Sequence, residues 1–188
     1  VAWSLADLDA IVFGRGPGSF TGLRTACAVA QGLAAGAGRP VLPVDTLLAV
    51  AEEAAQQLAA AGQALPERIS AWLDARMDEV YAQDFECGPA GWQARGPCRL
   101  FAPEALPLPE GVAAGNVFQV YASRLPALSA ARQVSALPTA AALLRLAPGL
   151  LARGLAVPAH EALPLYVRDK VAQTTEERLA AKASAKAA

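Results

Sequence analysis

The chain has 188 residues, enough for one sizeable domain or two small ones, and 54% of them are hydrophobic, as a core-forming protein requires. Sixteen basic and 17 acidic residues leave a net charge of −1, which excludes a broad electrostatic attraction to nucleic acid. No apolar run reaches the length of a membrane span, no basic signal-like segment opens the chain, and Cys27, Cys87 and Cys98 are odd in number without metal-ligand spacing, which fits reduced thiols in a cytoplasmic protein.

Residues 10–13 form a short apolar run after Asp9 and predict a buried strand. Gly14, Gly16 and Gly18, with Arg15 and Pro17 between them, are expected to stop that strand and form a tight loop. Ser19 stands at the N-cap position of a helix over 20–35. A strand, a glycine loop and a capped helix aim backbone N–H groups and a helix dipole at an anion. The phosphate and nucleophile motifs nevertheless fail here. No Gly-Lys-Ser/Thr follows the loop, and the third glycine arrives one position early for G-x-G-x-x-G. Gly18 directly precedes Ser19, and Thr21 occupies the place of the last glycine in G-x-S-x-G. On the local signal, loop 14–19 reads as a structural turn without a ligand.

Within the helix, Thr21, Arg24, Thr25, Ala28, Gln31, Gly32 and Ala35 share one stripe by i, i+3, i+4 spacing. The stripe carries small residues and one arginine, whereas a solvent-facing helix is normally more charged. Small residues admit close approach of another helix, so the stripe is a candidate docking face. Burial under the domain's own elements is an equal alternative.

Gly36 and Gly38 end the helix, and residues 40–44 predict a short strand internal to a sheet. Asp45 or Thr46 caps a second helix reaching residue 61. Its Leu47, Leu48, Ala51, Ala55 and Leu58 oppose Glu52, Glu53, Gln56 and Gln57, as in an amphipathic surface helix. Residues 68–75 and 79–86 form a hairpin around Arg76-Met77-Asp78, and 92–101 reads as a third strand. Asp74 and Glu79 could be a paired-carboxylate site, but no partner groups accompany them, and a structural role at the hairpin end is favoured. A proline-rich connector over 103–109 leads to a strand at 111–114 and a helix at 117–123. Thr139 caps a helix through Arg145, which Pro148-Gly149 is expected to kink or break. His160 lies in a Pro/Ala-rich loop and reads as a surface residue. From Ala172 onward no apolar face is long enough to dock, so a frayed tail is expected there.

The string Gly-Arg-Gly-Pro-Gly-Ser-Phe-Thr-Gly-Leu-Arg at 14–24, followed by Ala30-Gln31-Gly32-Leu33-Ala34, resembles the signature of the TsaB/YeaZ family. Further agreement comes from Pro43-Val44-Asp45-Thr46-Leu47, from the stretch 73–81, and from Pro164-Leu165-Tyr166-Val167-Arg168. The resemblance implies an α/β fold of the actin-like, ribonuclease-H-like type with two lobes. It implies an incomplete N-terminal lobe over 1–62, a second lobe over 63–171 and a flexible tail over 172–188. The family's opening strand-turn-strand segment is not matched in this sequence. In the family the closing tyrosine and arginine, here Tyr166 and Arg168, anchor the tail to the body.

By the same resemblance the chain is a non-catalytic scaffold or activator. It would pair with a TsaD-type transferase for threonylcarbamoylation of adenosine-37 in ANN-decoding tRNAs, with a TsaE-type ATPase in the same complex. Because the family docks partners through its N-terminal lobe helices, the resemblance favours docking for the stripe. The tRNA is engaged indirectly through the complex, a homodimer is possible, and no membrane is involved. No cofactor is expected in the isolated chain; ATP or ADP and metal are expected only with the partner subunits. The TsaD-type paralogue uses a histidine pair at i, i+4 spacing, which a chain with one histidine cannot form. The alternative is a nucleotide-binding or metallopeptidase-like hydrolase of the same superfamily, with nucleotide at 14–19.

Overall fold

The computed structural model describes residues 4–129 and 132–168, which build two sheets joined by a shared helix. Strand β1 (Ile11–Gly16) runs parallel to β2 (Val41–Asp45), pairing Ile11 with Val41 and Phe13 with Pro43. β1 continues through Gly14 and Arg15 instead of stopping at residue 13, with a register shift between Gly14 and Gly16. An irregular ladder tolerates glycine where a regular one is weakened by it. Helix α1 (Phe20–Ala37) connects the two strands. The Ser19 hydroxyl accepts from the Gly22 N–H at 3.3 Å at its start, and left-handed Gly38 ends it.

The expectation that β2 lies inside a sheet is corrected. Among the described residues its only strand neighbour is β1, with a single bridge from Val41 to Val157. Pro43 has no N–H to offer a second ladder, which suits an edge. The apolar run is buried by a helix instead: α4 (Ala140–Ala152) lays Ala147 and Leu150 on Leu42 and Val44. Of the expected kink or break at Pro148-Gly149, the break is not found: that helix stays continuous through Pro148. Pro148 and Gly149 face solvent, where water can satisfy the carbonyl left without a donor, while the buried face holds the axis. Residues 140–152 thus pack on the first sheet, although the sequence division groups them with 63–171.

Helix α2 (Thr46–Ala60) is amphipathic as expected but more buried than a surface helix. Leu47, Ala49, Val50, Ala51, Ala54, Ala55 and Leu58 are buried, and the helix touches both sheets. Small alanines let both sheets approach the axis. Half of its polar face is occupied too: Arg145 on α4 holds Glu52 at 2.8 Å and Glu53 at 2.7 Å, and the Thr139 hydroxyl donates to Glu53 at 2.8 Å, while Gln56 and Gln57 stay exposed.

The second sheet grows from the hairpin β3 (Arg68–Arg76) and β4 (Glu79–Gly88). The region expected as one strand over 92–101 is two, β5 (Gly91–Ala94) and β6 (Arg99–Phe101), both antiparallel to β4. Gly96 at φ 155° and Pro97, without an N–H, break the ladder between them. β7 (Val112–Gly115) and β8 (Gln133–Ser135) add parallel strands beyond β3. Between them α3 (Val117–Val120) is one turn, shorter than the expected 117–123. Period-two alternation along β3 sends Ile69, Ala71 and Leu73 toward α2 and Trp72 toward α3, giving a core on each face. Gly115, at φ 151°, lies so close to Trp72 that a Cβ there would meet the Trp72 carbonyl oxygen at 1.7 Å. The tail from residue 172 lies outside the described residues.

Candidate docking face

Helix α1 buries Leu23, Cys27, Ala30 and Ala34, the last three against Phe13 and Val41. This spacing of i, i+4, i+7 and i+11 fixes the rotation of the helix. Thr21, Arg24, Thr25, Ala28, Gly32 and Ala35 are consequently exposed, and Gln31 is half-buried. Most of the stripe is therefore left open by the chain's own described elements. Val29, 55% exposed, and Leu33, 41% exposed, flank it on one side. Sequence reading passed over this pair, although their i, i+4 spacing beside the stripe was a visible signal.

Two stripe residues already have partners. The Gln31 amide donates to the Ala162 carbonyl at 2.8 Å, joined there by the Cys27 thiol at 3.2 Å. The Arg24 guanidinium lies 3.8 Å above the Phe20 ring, and its Nε donates to the Tyr166 hydroxyl at 3.0 Å. Thr21, Thr25, Ala28, Gly32 and Ala35 remain as the open small-residue surface. His160 stands at its margin, its side chain 81% exposed.

The glycine loop serves the chain's own packing. Arg15 Nε pairs with Asp45 Oδ1 at 2.5 Å, tying the ends of β1 and β2. The Leu165 N–H donates to the Arg15 carbonyl at 2.7 Å, bringing the Leu165 carbonyl against Gly16. A Cβ on Gly16, which sits at φ 126°, would lie 2.5 Å from that oxygen. Pro17 is fully buried behind a cis Gly16–Pro17 peptide, Gly14 faces Thr46, and Gly18 faces Leu23. Ser19 caps α1. Only glycine at position 16 admits the closing segment, a reason invisible in the local string.

The hairpin carboxylates are occupied structurally. Asp74 Oδ1 accepts from the Tyr121 hydroxyl at 2.8 Å and from the Arg76 N–H at 2.8 Å. Burial and the Asp74 carboxylate push the Tyr121 hydroxyl up to about 12. Glu79 pairs with Arg168. Burial, with the Asp45 charge second, pushes the Cys98 thiol up to about 12, and burial raises Cys27 as well. Such thiols are protonated at neutral pH and poor nucleophiles. Among the described residues no three His, Cys, Asp or Glu side chains gather to hold a metal ion.

Comparison with known proteins bears on the family and the fold. The family model described as TsaD, tRNA N6-adenosine threonylcarbamoyltransferase, matches residues 1–188. The tRNA threonylcarbamoyladenosine biosynthesis protein TsaB of Escherichia coli is 34% identical over 178 residues, 90% of this chain and 74% of that protein. YeaZ from Pseudomonas aeruginosa superposes with a TM-score of 0.75 at 38% identity, over 87% of this chain and 75% of that one. A further solved structure, described as an uncharacterized protein with similarity to peptidase YEAZ from Pseudomonas aeruginosa, gives 0.76 at 38% identity over 88% and 76%. The fold is accordingly the actin-like α/β fold, and sequence and structure agree that this chain belongs to the TsaB/YeaZ family.

Proposed function

We propose that the chain is a non-catalytic subunit that docks a TsaD-type transferase through the outer face of α1, in the synthesis of threonylcarbamoyladenosine on tRNA. The carrying observation is the open stripe of Thr21, Thr25, Ala28, Gly32 and Ala35 beside exposed Val29 and Leu33. A helix from a partner can approach small residues closely, and the two aliphatic side chains supply apolar area at the edge. The name of the E. coli relative supports the pathway. A TsaE-type ATPase belongs to the same complex, where nucleotide and metal are held with the partners. With a net charge of −1 the chain leaves tRNA to the partner subunit.

The non-catalytic part of the reading is supported by the residue inventory. His160, the single histidine, is solvent-exposed, Cys27 and Cys98 are kept protonated, and Asp74 and Glu79 are engaged by Tyr121 and Arg168. No helix among the described residues is long and apolar enough to cross a membrane, which is compatible with work in the cytoplasm. Size-exclusion chromatography with light scattering, on the chain alone and mixed with the TsaD-type protein of the same organism, tests the reading. A new one-to-one species supports it. A chain that forms only its own dimer overturns the heterodimer.

A further inference from the structure

Residues 163–168 cross from one sheet to the other without secondary structure of their own. At the first sheet, the Leu165 N–H bonds the end of β1 through the Arg15 carbonyl. Next, the Tyr166 ring packs on Phe20 with centroids 5.6 Å apart, and its hydroxyl accepts from Arg24. Val167 then packs against the core between α2 and the second sheet. Arg168, its side chain 16% exposed, reaches the β3–β4 turn. Its Nη2 donates to the Ala75 carbonyl at 3.1 Å, the Arg76 carbonyl at 3.3 Å and the Glu79 carboxylate, while Nη1 lies 3.2 Å from Met77 Sδ.

That turn needs holding. Arg76, Met77 and Asp78 all adopt the left-handed region, at φ 62°, 55° and 57°, and none is a glycine. Non-glycine residues persist there only when the surroundings over-determine them. Here the surroundings are Asp74, which accepts from the Arg76 N–H, Arg124, which bonds Asp78 at 2.7 Å, and Arg168 from the closing segment. One segment thus holds the strained turn at one end and the first turns of α1 at the other. Between the two ends lies a cavity of about 230 Å³ lined by Ser19, Phe20, Tyr81 and Tyr166, so the segment is the direct tie across it.

We propose that residues 163–168 act as a strap that couples the docking helix to the β3–β4 turn. In this assignment Arg24 is a positioning residue that receives the strap, and not a contact to a partner. The coupling concerns the free chain; its consequence for partner affinity rests on the docking reading above. Coupling of this kind is reciprocal, so loosening either end must be felt at the other.

Amide hydrogen exchange on the full chain tests this with two substitutions. Arg168→Gln removes the grip on the turn; faster exchange by about tenfold is expected at residues 23–27 of α1 as well as at 76–79, with β7 unchanged. Tyr166→Phe removes only the acceptor of Arg24 and leaves the ring. It should speed exchange at 23–27 and, more weakly, at 76–79. Each substitution acting only at its own end overturns the strap. Should Arg168→Gln fail to fold, the distal response of Tyr166→Phe alone decides. Ala35→Glu, on the same face of α1 but eleven residues beyond Arg24, should leave both regions unchanged, so that a failed docking reading is not mistaken for a failed strap.

Discussion

The two sheets reach burial by opposite routes. The second sheet is assembled largely from neighbours in sequence: β3 and β4 pair through a two-residue connection, and β5 and β6 fold straight back on β4. Among the described residues the first sheet has two parallel strands, and parallel strands need cover on both faces. Its cover comes from α1 on one side and, from more than a hundred positions away, from α4, Val157, Ala162 and Leu165. The half that carries the candidate docking helix therefore adds distant closures to the local packing of α1 on β1 and β2.

Substitutions sharpen this contrast. The largest expected effect is in the second sheet, where Trp72 is 1% exposed at the centre of its core. Trp72→Ala should cost about 3–5 kcal/mol in urea unfolding, through lost burial and the cavity left behind. Gly16→Ala should cost less, about 1–3 kcal/mol, because it forces a side chain against the Leu165 carbonyl at a positive φ. Unlike Trp72→Ala, it should release the closing segment first, which limited proteolysis near residue 165 would detect as faster cleavage before global unfolding.

A smaller effect is expected where α4 clamps α2. Arg145→Ala should lower stability by about 1–2 kcal/mol at neutral pH, since it leaves Glu52 and Glu53 half-buried without their cation. Burial alone would raise the Glu53 carboxyl, but the Thr139 hydroxyl and the Arg145 guanidinium outweigh it and hold the pKa below its ordinary 4.5. A depressed carboxyl stabilises the fold above its unfolded value and loses that contribution as pH falls through the folded value. Thermal stability should thus decline below about pH 4.5 more steeply in the native chain than in Glu53→Gln. The smallest stability change belongs to Ala28→Glu, within about 0.5 kcal/mol, because the side chain enters solvent.

Much of the site was legible in the string, and the reasons for the misses are physical. An apolar run, alternating glycines and a capping serine are local signals, and β1, the loop and α1 follow from them. The stripe on α1 was legible because helical period alone decides which residues share a face. What decides between cover and exposure is the position of other elements, which the period does not carry. The two-sided burial of α2 was hidden because Ala49 and Ala54 read as neutral in an amphipathic pattern. β2 was misplaced by weighing its apolar run above Pro43. β8 is three residues long and exists only through its register with β7. The role of Gly16 and the capture of Arg24 by Tyr166, 142 positions away, depend on the closing segment and have no local signature.

The docking claim is tested most directly by titrating the TsaD-type subunit against the native chain and Ala28→Glu, with thermal unfolding of both recorded in parallel. A loss of affinity of at least about tenfold with an unchanged melting temperature is the predicted result. Equal affinity for the two chains would contradict it and move the interface off the outer face of α1.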